Sequence, residues 1–376
     1  MTAEPAFLVA AVRRFLHADA PLSEPKNIDW DILLRLASDH AVTPMLYSVL
    51  RDVPLPERIA TELRSAFETS VQWSMAQSGE LAGLAALLAE HEVPFIALKG
   101  PLLSRYLYGE LTARSSGDID LLVKPDHVLR IRDLLASRGY RVANTLHWSS
   151  DSAYLRSREN EISFESPSGV SIDVHWRILP GYFASPFDGL DVWETSQTVM
   201  LAGRQIQTLS PEHLLILICS HSAKHAFERL GWICDISRFL IVTPNLNWSA
   251  IVNQAERTRT LRQLSIGVAL AADVLGAPRP RQLTEDPAVT NLAHSVQDRL
   301  FAGNARRVSA LELTRFCVEL LDNGPHRFRF LTGHYLTPSE AEYKVLSLPP
   351  SLYFLYYPYR PVRLFAKHVL RRVIRS

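Results

Sequence analysis

The stretch Arg114-Ser115-Ser116-Gly117-Asp118-Ile119-Asp120-Leu121-Leu122-Val123 constrains this chain more than any other. It reads as a loop entering a buried strand, because a glycine precedes a short apolar run. Side chains alternate across a strand, so Asp118 and Asp120 share one face about 7 Å apart, while Ile119, Leu121 and Val123 share the other. Two carboxylates aimed together at a strand end suit a divalent cation. A bare D-x-D also occurs in turns, where Asp bonds local backbone, so its meaning depends on its surroundings.

Upstream, residues 1–92 carry apolar residues at helical spacing: an acid-led helix at Asp29–Ala37, another after Pro44, and a long one from Pro56 to Glu92. His40 and His91 have no second ligand at helical spacing and read as surface or capping residues. At Val93–Leu98 the pattern changes to a continuous apolar run, a buried strand, which ends in Lys99-Gly100-Pro101 and resumes as a helix. Proline after glycine is a sound helix start, and exposed amides there favour an anion. A plain strand-to-helix turn needs the same glycine. Neither a P-loop nor a G-x-G-x-x-G fingerprint occurs in the chain.

Downstream, Pro125–Gly139 reads as an amphipathic helix closed by glycine, and Tyr140-Arg141-Val142 begins a further strand. Two alternating runs, 160–165 and 170–176, flank Ser166-Pro167-Ser168-Gly169 and form an antiparallel hairpin. On its second strand Ser171, Asp173 and His175 share one face and Ile172, Val174 and Trp176 the other. A carboxylate between apolar neighbours needs a partner. A cation such as Arg114 or Arg177 is one, a metal is another.

From about residue 186 the pattern reads as helical throughout. In the helix led by Ser210-Pro211-Glu212, His221, Lys224 and His225 fall at i, i+3 and i+4 and share a face. The H-E-x-x-H zinc form fails, since Ser222 replaces the glutamate. The face suits a phosphate or is simply a solvated one. Cys219, Cys234 and Cys317 have neither C-x-x-C spacing nor an even count, which excludes a zinc ribbon or a disulfide framework and fits a reducing cytoplasm.

The formal net charge of +1 carries no polyelectrolyte signature. No apolar stretch approaches the roughly 20 residues that span a bilayer, and no signal peptide is legible. The tail from Arg360 carries six Lys or Arg and no acid, after an aromatic run at Tyr353–Tyr359. It either docks on the body by its apolar face or makes a weak contact with an anionic membrane or nucleic acid. The chain therefore divides into a helical region (1–92), an α/β core (93–185), a second helical region (186–345) and an aromatic and basic tail (346–376). The fold class is α+β, a small mixed sheet flanked by helices.

Three carboxylates on adjacent strands can hold two Mg²⁺ about 4 Å apart, the clamp used for in-line phosphoryl displacement. At this point the chain resembles the polymerase-β-like nucleotidyltransferase superfamily, and more narrowly its group of poorly characterised bacterial nucleotidyltransferases. The shared pattern is L-K-G at Leu98–Gly100, R-x-S-G-D-I-D-L-L-V at Arg114–Val123 and D-V-H-W at Asp173–Trp176.

The resemblance implies that Asp118, Asp120 and Asp173 bind two Mg²⁺, or Mn²⁺, with Asp173 as general base. It implies phosphate contacts from Lys99, Gly100, Arg114, Ser116 and Lys224 to a nucleoside triphosphate donor, and acceptor or donor contacts from His175, Trp176, His221 and His225. The reaction would move a nucleoside monophosphate to a hydroxyl-bearing acceptor, a sugar, a lipid-linked group or a peptide, releasing pyrophosphate. The superfamily usually has Gly-Ser at the phosphate turn; here Pro101 follows Gly100, and Asp118 lies eighteen positions after the glycine. Two other readings remain, a silent module that keeps the fold and a D-x-D nucleotide-sugar glycosyltransferase. The second usually places a long α/β half before the motif, whereas about 90 helical residues and one strand precede it here.

Overall fold

The amphipathic repeats of the first ninety residues form four helices, α1 (Ala3–Leu16), α2 (Trp30–Asp39), α3 (Thr43–Leu50) and α4 (Glu57–Glu90). Asp29 caps α2 by accepting from the Ile32 amide, 3.1 Å. The computed structural model describes residues 2–23, 27–143, 160–180, 192–284, 286–302, 308–321, 324–338, 340–346 and 348–373, with 183, 185 and 187 singly. Arg375 of the basic tail lies outside the described residues.

The middle of the chain builds β1 (Phe95–Ala97), α5 (Pro101–Tyr108), β2 (Asp118–Val123), a 3-10 turn at Pro125–His127, α6 (Val128–Ser137), β3 (Arg141–Val142), β4 (Glu161–Glu165) and β5 (Ser171–His175). These strands form one mixed sheet in the order β1-β2-β5-β4-β3. Only β2 and β5 run parallel, with Asp120 directly opposite Asp173. The other neighbours are antiparallel.

The alternation read from the sequence is the alternation of the sheet. Ile119, Leu121, Val123, Ile162, Phe164, Ile172, Val174 and Trp176 point to a rear core shared with Leu81, Leu84 and Leu88 of α4 and with Ile131 and Leu135 of α6. Asp120 and His175 lie on the front face with Ile96, Leu98 and Leu122, whose apolar side chains join the main core.

Next comes a hairpin, β6 (Gln197–Leu201) and β7 (Arg204–Thr208), which corrects the expectation of helix throughout from residue 186. Its strands meet at the two-residue Ala202-Gly203 turn, where both residues have positive φ, 47° and 77°, and the apolar run Val199-Met200-Leu201 hides the alternation from the sequence. Thr208 Oγ1 donates to the Ala97 carbonyl, 2.8 Å, and so braces β1.

Helices then follow: α7 (Pro211–Lys224), α8 (Leu230–Val242), α9 (Trp248–Arg257), α10 (Leu261–Leu275), α11 (Pro287–Leu300), α12 (Ala310–Leu320), α13 (Gly324–Leu336), α14 (Glu340–Val345), a 3-10 turn at Pro350–Leu355 and α15 (Tyr356–Val373). Helices α1–α3 and α7–α11 share one core. Arg13 and His17 of α1 cap the end of α10, with Arg13 Nε 2.6 Å from the Val274 carbonyl and His17 Nε2 2.9 Å from that of Leu275. His40 is buried rather than on the surface. Its Nδ1 accepts from the first amide of α8, at Leu230, 3.3 Å, so it is a capping residue.

Candidate active site

Three features pin the loop that leads into β2. Ser70 of α4 lies 3.1 Å from Ser115 (Oγ to Oγ), and Trp73 Nε1 donates to the Ser116 carbonyl, 2.9 Å. Ser116 Oγ donates to the Asp118 carbonyl, 3.0 Å, which closes the turn. Arg114, buried, donates through Nε to Asp235 Oδ2, 2.7 Å, and through Nη1 to the Gly100 carbonyl, 3.2 Å. The Gly100 turn and the D-x-D loop are thus one unit.

Gly100 has φ 68° and ψ −147°, a conformation open essentially to glycine alone. A Cβ there would stand 3.0 Å from the Asp118 carbonyl oxygen. Gly100→Ala is expected to cost about 1–3 kcal/mol of stability and to weaken binding of any ligand held by this turn. Urea unfolding alongside nucleotide titration checks both, and a variant with parental stability and binding would remove the constraint.

Asp120 is the centre of the front face. His175 Nε2 donates to its Oδ1, 3.0 Å, and the Lys99 ammonium lies 3.2 Å from its Oδ2. The ammonium is close enough for an ion pair but misses hydrogen-bond geometry, which leaves Oδ2 a buried acceptor without a hydrogen bond. Burial alone would raise the Asp120 carboxyl, but Lys99 and His175 outweigh it and hold the group well below the usual carboxylate range. Its neighbours shift the other way. Asp118 is raised, first by the charge of Asp120 and then by burial. Asp173 is pushed up to about 6, chiefly by burial.

One oxygen or nitrogen from each of Asp120, Asp173 and His175 lies within 4.8 Å of the others, a spacing a metal ion can bridge. His175, however, stands between two carboxylates, with Nδ1 3.1 Å from Glu161 Oε2. Burial lowers its pKa, but Asp120 and Glu161 outweigh that and raise it, which favours the imidazolium. The Asn160 side-chain amide also lies 3.2 Å from Nδ1, while Nε2 donates to Asp120 and orients it.

Among the described residues, four carboxylates (Asp118, Asp120, Asp173, Glu161) meet two basic groups (Lys99, His175). Arg114 pairs with Asp235 and offsets the charge of Asp118 only in part. It is not the partner of Asp173, whose side chain bonds Ser163. The raised Asp118 expresses the charge of Asp120 beside it, whereas Asp173 is raised first by burial. Asp118, the other carboxylate expected as a ligand, is not in the set that lies within bridging distance, which is Asp120, Asp173 and His175; carboxylate oxygens suit a hard divalent cation.

A cavity of about 250 Å³ adjoins Asp118 and Lys99. Its far wall is His221 and His225 of α7 and Trp232 of α8, with ring centroids 5.0–5.4 Å apart. Arg229 lies over the Trp232 ring at 5.4 Å. Lys99 Nζ also donates to His221 Nδ1, 3.1 Å.

A family model described as "Uncharacterised nucleotidyltransferase" matches residues 26–276. The chain belongs to this nucleotidyltransferase family. Among solved structures, the solution structure of the antibiotic-resistance factor ANT(2'')-Ia is similar with a TM-score of 0.33 and 14% identity, over 50% of this chain and 92% of that one. An antigenic nucleotidyltransferase-like protein from Paracoccidioides brasiliensis is similar with a TM-score of 0.28 and 13% identity, over 49% and 87%. The assignment rests on the family match and not on these likenesses. No curated protein matches the chain.

In this nucleotidyltransferase, Lys99, Gly100, Arg114, Ser116, Asp118, Asp120, Asp173, His175, His221 and His225 all lie at the front face, its loop or the adjoining cavity. Trp176 does not: it packs in the rear core, 5% exposed, on the face its odd-even neighbours dictate. Lys224 is absent from the cavity lining. Nor is the His face cationic. Burial, with Lys99 next, drives His221 well below its ordinary value, and burial, with Lys224 next, takes His225 to about 3. Trp232, Arg229, Asp235 and Glu161 complete the site. Asp235 and Trp232 are conspicuous in the sequence only as a carboxylate and an indole inside an apolar helix, and Glu161 as an acid that opens a strand.

Proposed function

We propose that this nucleotidyltransferase transfers a nucleoside monophosphate from a nucleoside triphosphate to a hydroxyl-bearing acceptor and releases pyrophosphate. The observation that carries this is the register of β2 and β5, which sets Asp120 opposite Asp173 on a face with more carboxylates than cations. Asp118, Asp120 and Asp173 would hold Mg²⁺ or Mn²⁺, which when bound supplies charge neutralisation for the triphosphate and the departing pyrophosphate.

The chain's own groups do the rest. The Gly100 turn, whose missing Cβ makes room for the Asp118 carbonyl, would offer a phosphate backbone amides at the start of α5, with Lys99 beside it. His175 keeps Asp120 ionised and aimed. Asp173, with a pKa near 6, suits a general base that takes the acceptor hydroxyl's proton on its carboxylate as the new O–P bond forms and the bond to the β-phosphate oxygen breaks. The neutral wall of His221, His225 and Trp232 suits the flat or hydroxylated part of donor or acceptor.

Calorimetric titration with each of the four nucleoside triphosphates tests this. At least one is expected to bind with Mg²⁺ present and to lose affinity at least about tenfold when the ion is chelated. Mass spectrometry after incubation with sugar, lipid-linked and peptide acceptors should then show one nucleoside monophosphate added. The absence of any metal-dependent binding would favour a silent module.

A further inference from the structure

Charge and exposed apolar surface both collect at one end of the chain. Residues 324–376 hold nine Lys or Arg and two acids, Glu340 and Glu342, so this segment carries a formal +7 in a chain whose total is +1. Of fifteen large hydrophobic side chains exposed among the described residues, eleven lie in the same segment. Phe328 on α13, Phe354 in the 3-10 turn, and Val362 and Phe365 on α15 are each 63–72% exposed.

The packing of α15 explains why. Helix α15 rests on α13 and α14, and Glu342 of α14, fully buried, pairs with Arg360 at 2.8 Å and with Arg363 Nε at 2.6 Å. Arg360 and Arg363 thus face the body. Fixing these arginines inward turns Val362 and Phe365, roughly opposite on the helix, out to solvent. The tail does dock on the body, but by its charged side, leaving its apolar side outward.

We propose that α15, the aromatic turn before it and the exposed face of α13 seat the protein on an anionic lipid bilayer. Phe354, Val362 and Phe365 enter the boundary between headgroups and acyl chains. Tyr357, 53% exposed, sits at headgroup level as interfacial tyrosines do. The excess positive charge draws the segment to anionic lipid. No helix among the described residues is long and apolar enough to cross a membrane, so the segment lies in the surface plane. A second copy is a poorer occupant because two +7 segments repel. RNA is poorer because aliphatic Leu352, Leu355 and Val362 offer no stacking face and Arg360 and Arg363 are spent on Glu342. This inference does not rest on the proposed reaction.

Co-sedimentation of the full chain tests it, using vesicles of phosphatidylcholine and phosphatidylglycerol in about equal parts and vesicles of phosphatidylcholine alone. Binding is expected to the mixed vesicles and to weaken as salt is raised. The triple variant Phe354→Ser, Val362→Ser, Phe365→Ser should lose at least about tenfold in affinity. Its unfolding midpoint should match the parent's, since the three apolar positions are exposed. No binding at low salt overturns the proposal, as does parental binding by the triple variant. So does a gel shift with single-stranded RNA, or a dimer that the triple variant dissolves, in the absence of vesicle binding.

Discussion

Asp118→Asn and Asp120→Asn are each expected to lower pyrophosphate release by at least about 10³-fold, the several kcal/mol of charge stabilisation a metal site supplies, yet to move stability in opposite directions. Asp120 is held ionised by Lys99 and His175. A carboxyl depressed in the fold contributes stability at neutral pH that fades as pH falls through the carboxylate range. Asn at this position removes that contribution and leaves the largely buried Lys99 ammonium facing an amide, at a cost of about 3 kcal/mol or more. Asp118 is the reverse case. Its folded pKa is raised by Asp120 and by burial, so its charge opposes folding, and Asn there should be neutral or stabilise by about 0.5–2 kcal/mol. Denaturant unfolding of both variants at neutral pH beside the activity assay decides the matter. Equal destabilisation by the two would show that the front face is not over-supplied with negative charge.

The second large effect concerns a pair outside the carboxylate cluster. Arg114 and Asp235, with side chains 11% and 4% exposed, meet at 2.7 Å, and the Tyr108 hydroxyl donates to the same carboxylate, 3.1 Å. Asp235→Leu strands a buried guanidinium and should cost about 3–5 kcal/mol. Joined with Arg114→Met, it should recover most of that loss, because no charge is left to desolvate. Transfer should not recover, since Arg114 also ties the D-x-D loop to the Gly100 carbonyl. Urea midpoints of the two single variants and the double, each with its rate, give the coupling. A double variant as unstable as Asp235→Leu alone would mean that the pair's role is packing.

What could be read from the sequence was local. Alternation placed Asp118, Asp120, Asp173 and His175 on one side of their strands and Trp176 on the other, and the sheet keeps that division. The N-terminal helices, α5, α6 and α7 follow from caps, prolines and period. What escaped depends on partners distant in the chain. Nothing near Asp235 marks it as the counter-ion of a residue 121 positions earlier. The two histidines of α7 look cationic on a helical wheel and lose that character only when Trp232 and Lys99 close over them. The β6–β7 hairpin also escaped, because Val199-Met200-Leu201 is a continuous apolar run that suits a helix as well as a strand.

The capping of α10 by α1 bears on the order in which the chain can fold. The residues that receive the Arg13 and His17 hydrogen bonds are made some 260 residues later. During synthesis the apolar side of α1, with Phe7, Leu8, Val12 and Leu16, leaves the ribosome well before its partner exists. It can shelter for a time against α2 and α3, but its final seat opens only once α10 has emerged. The main core therefore cannot close until α10 has been made, and until then the apolar side of α1 lacks its final cover.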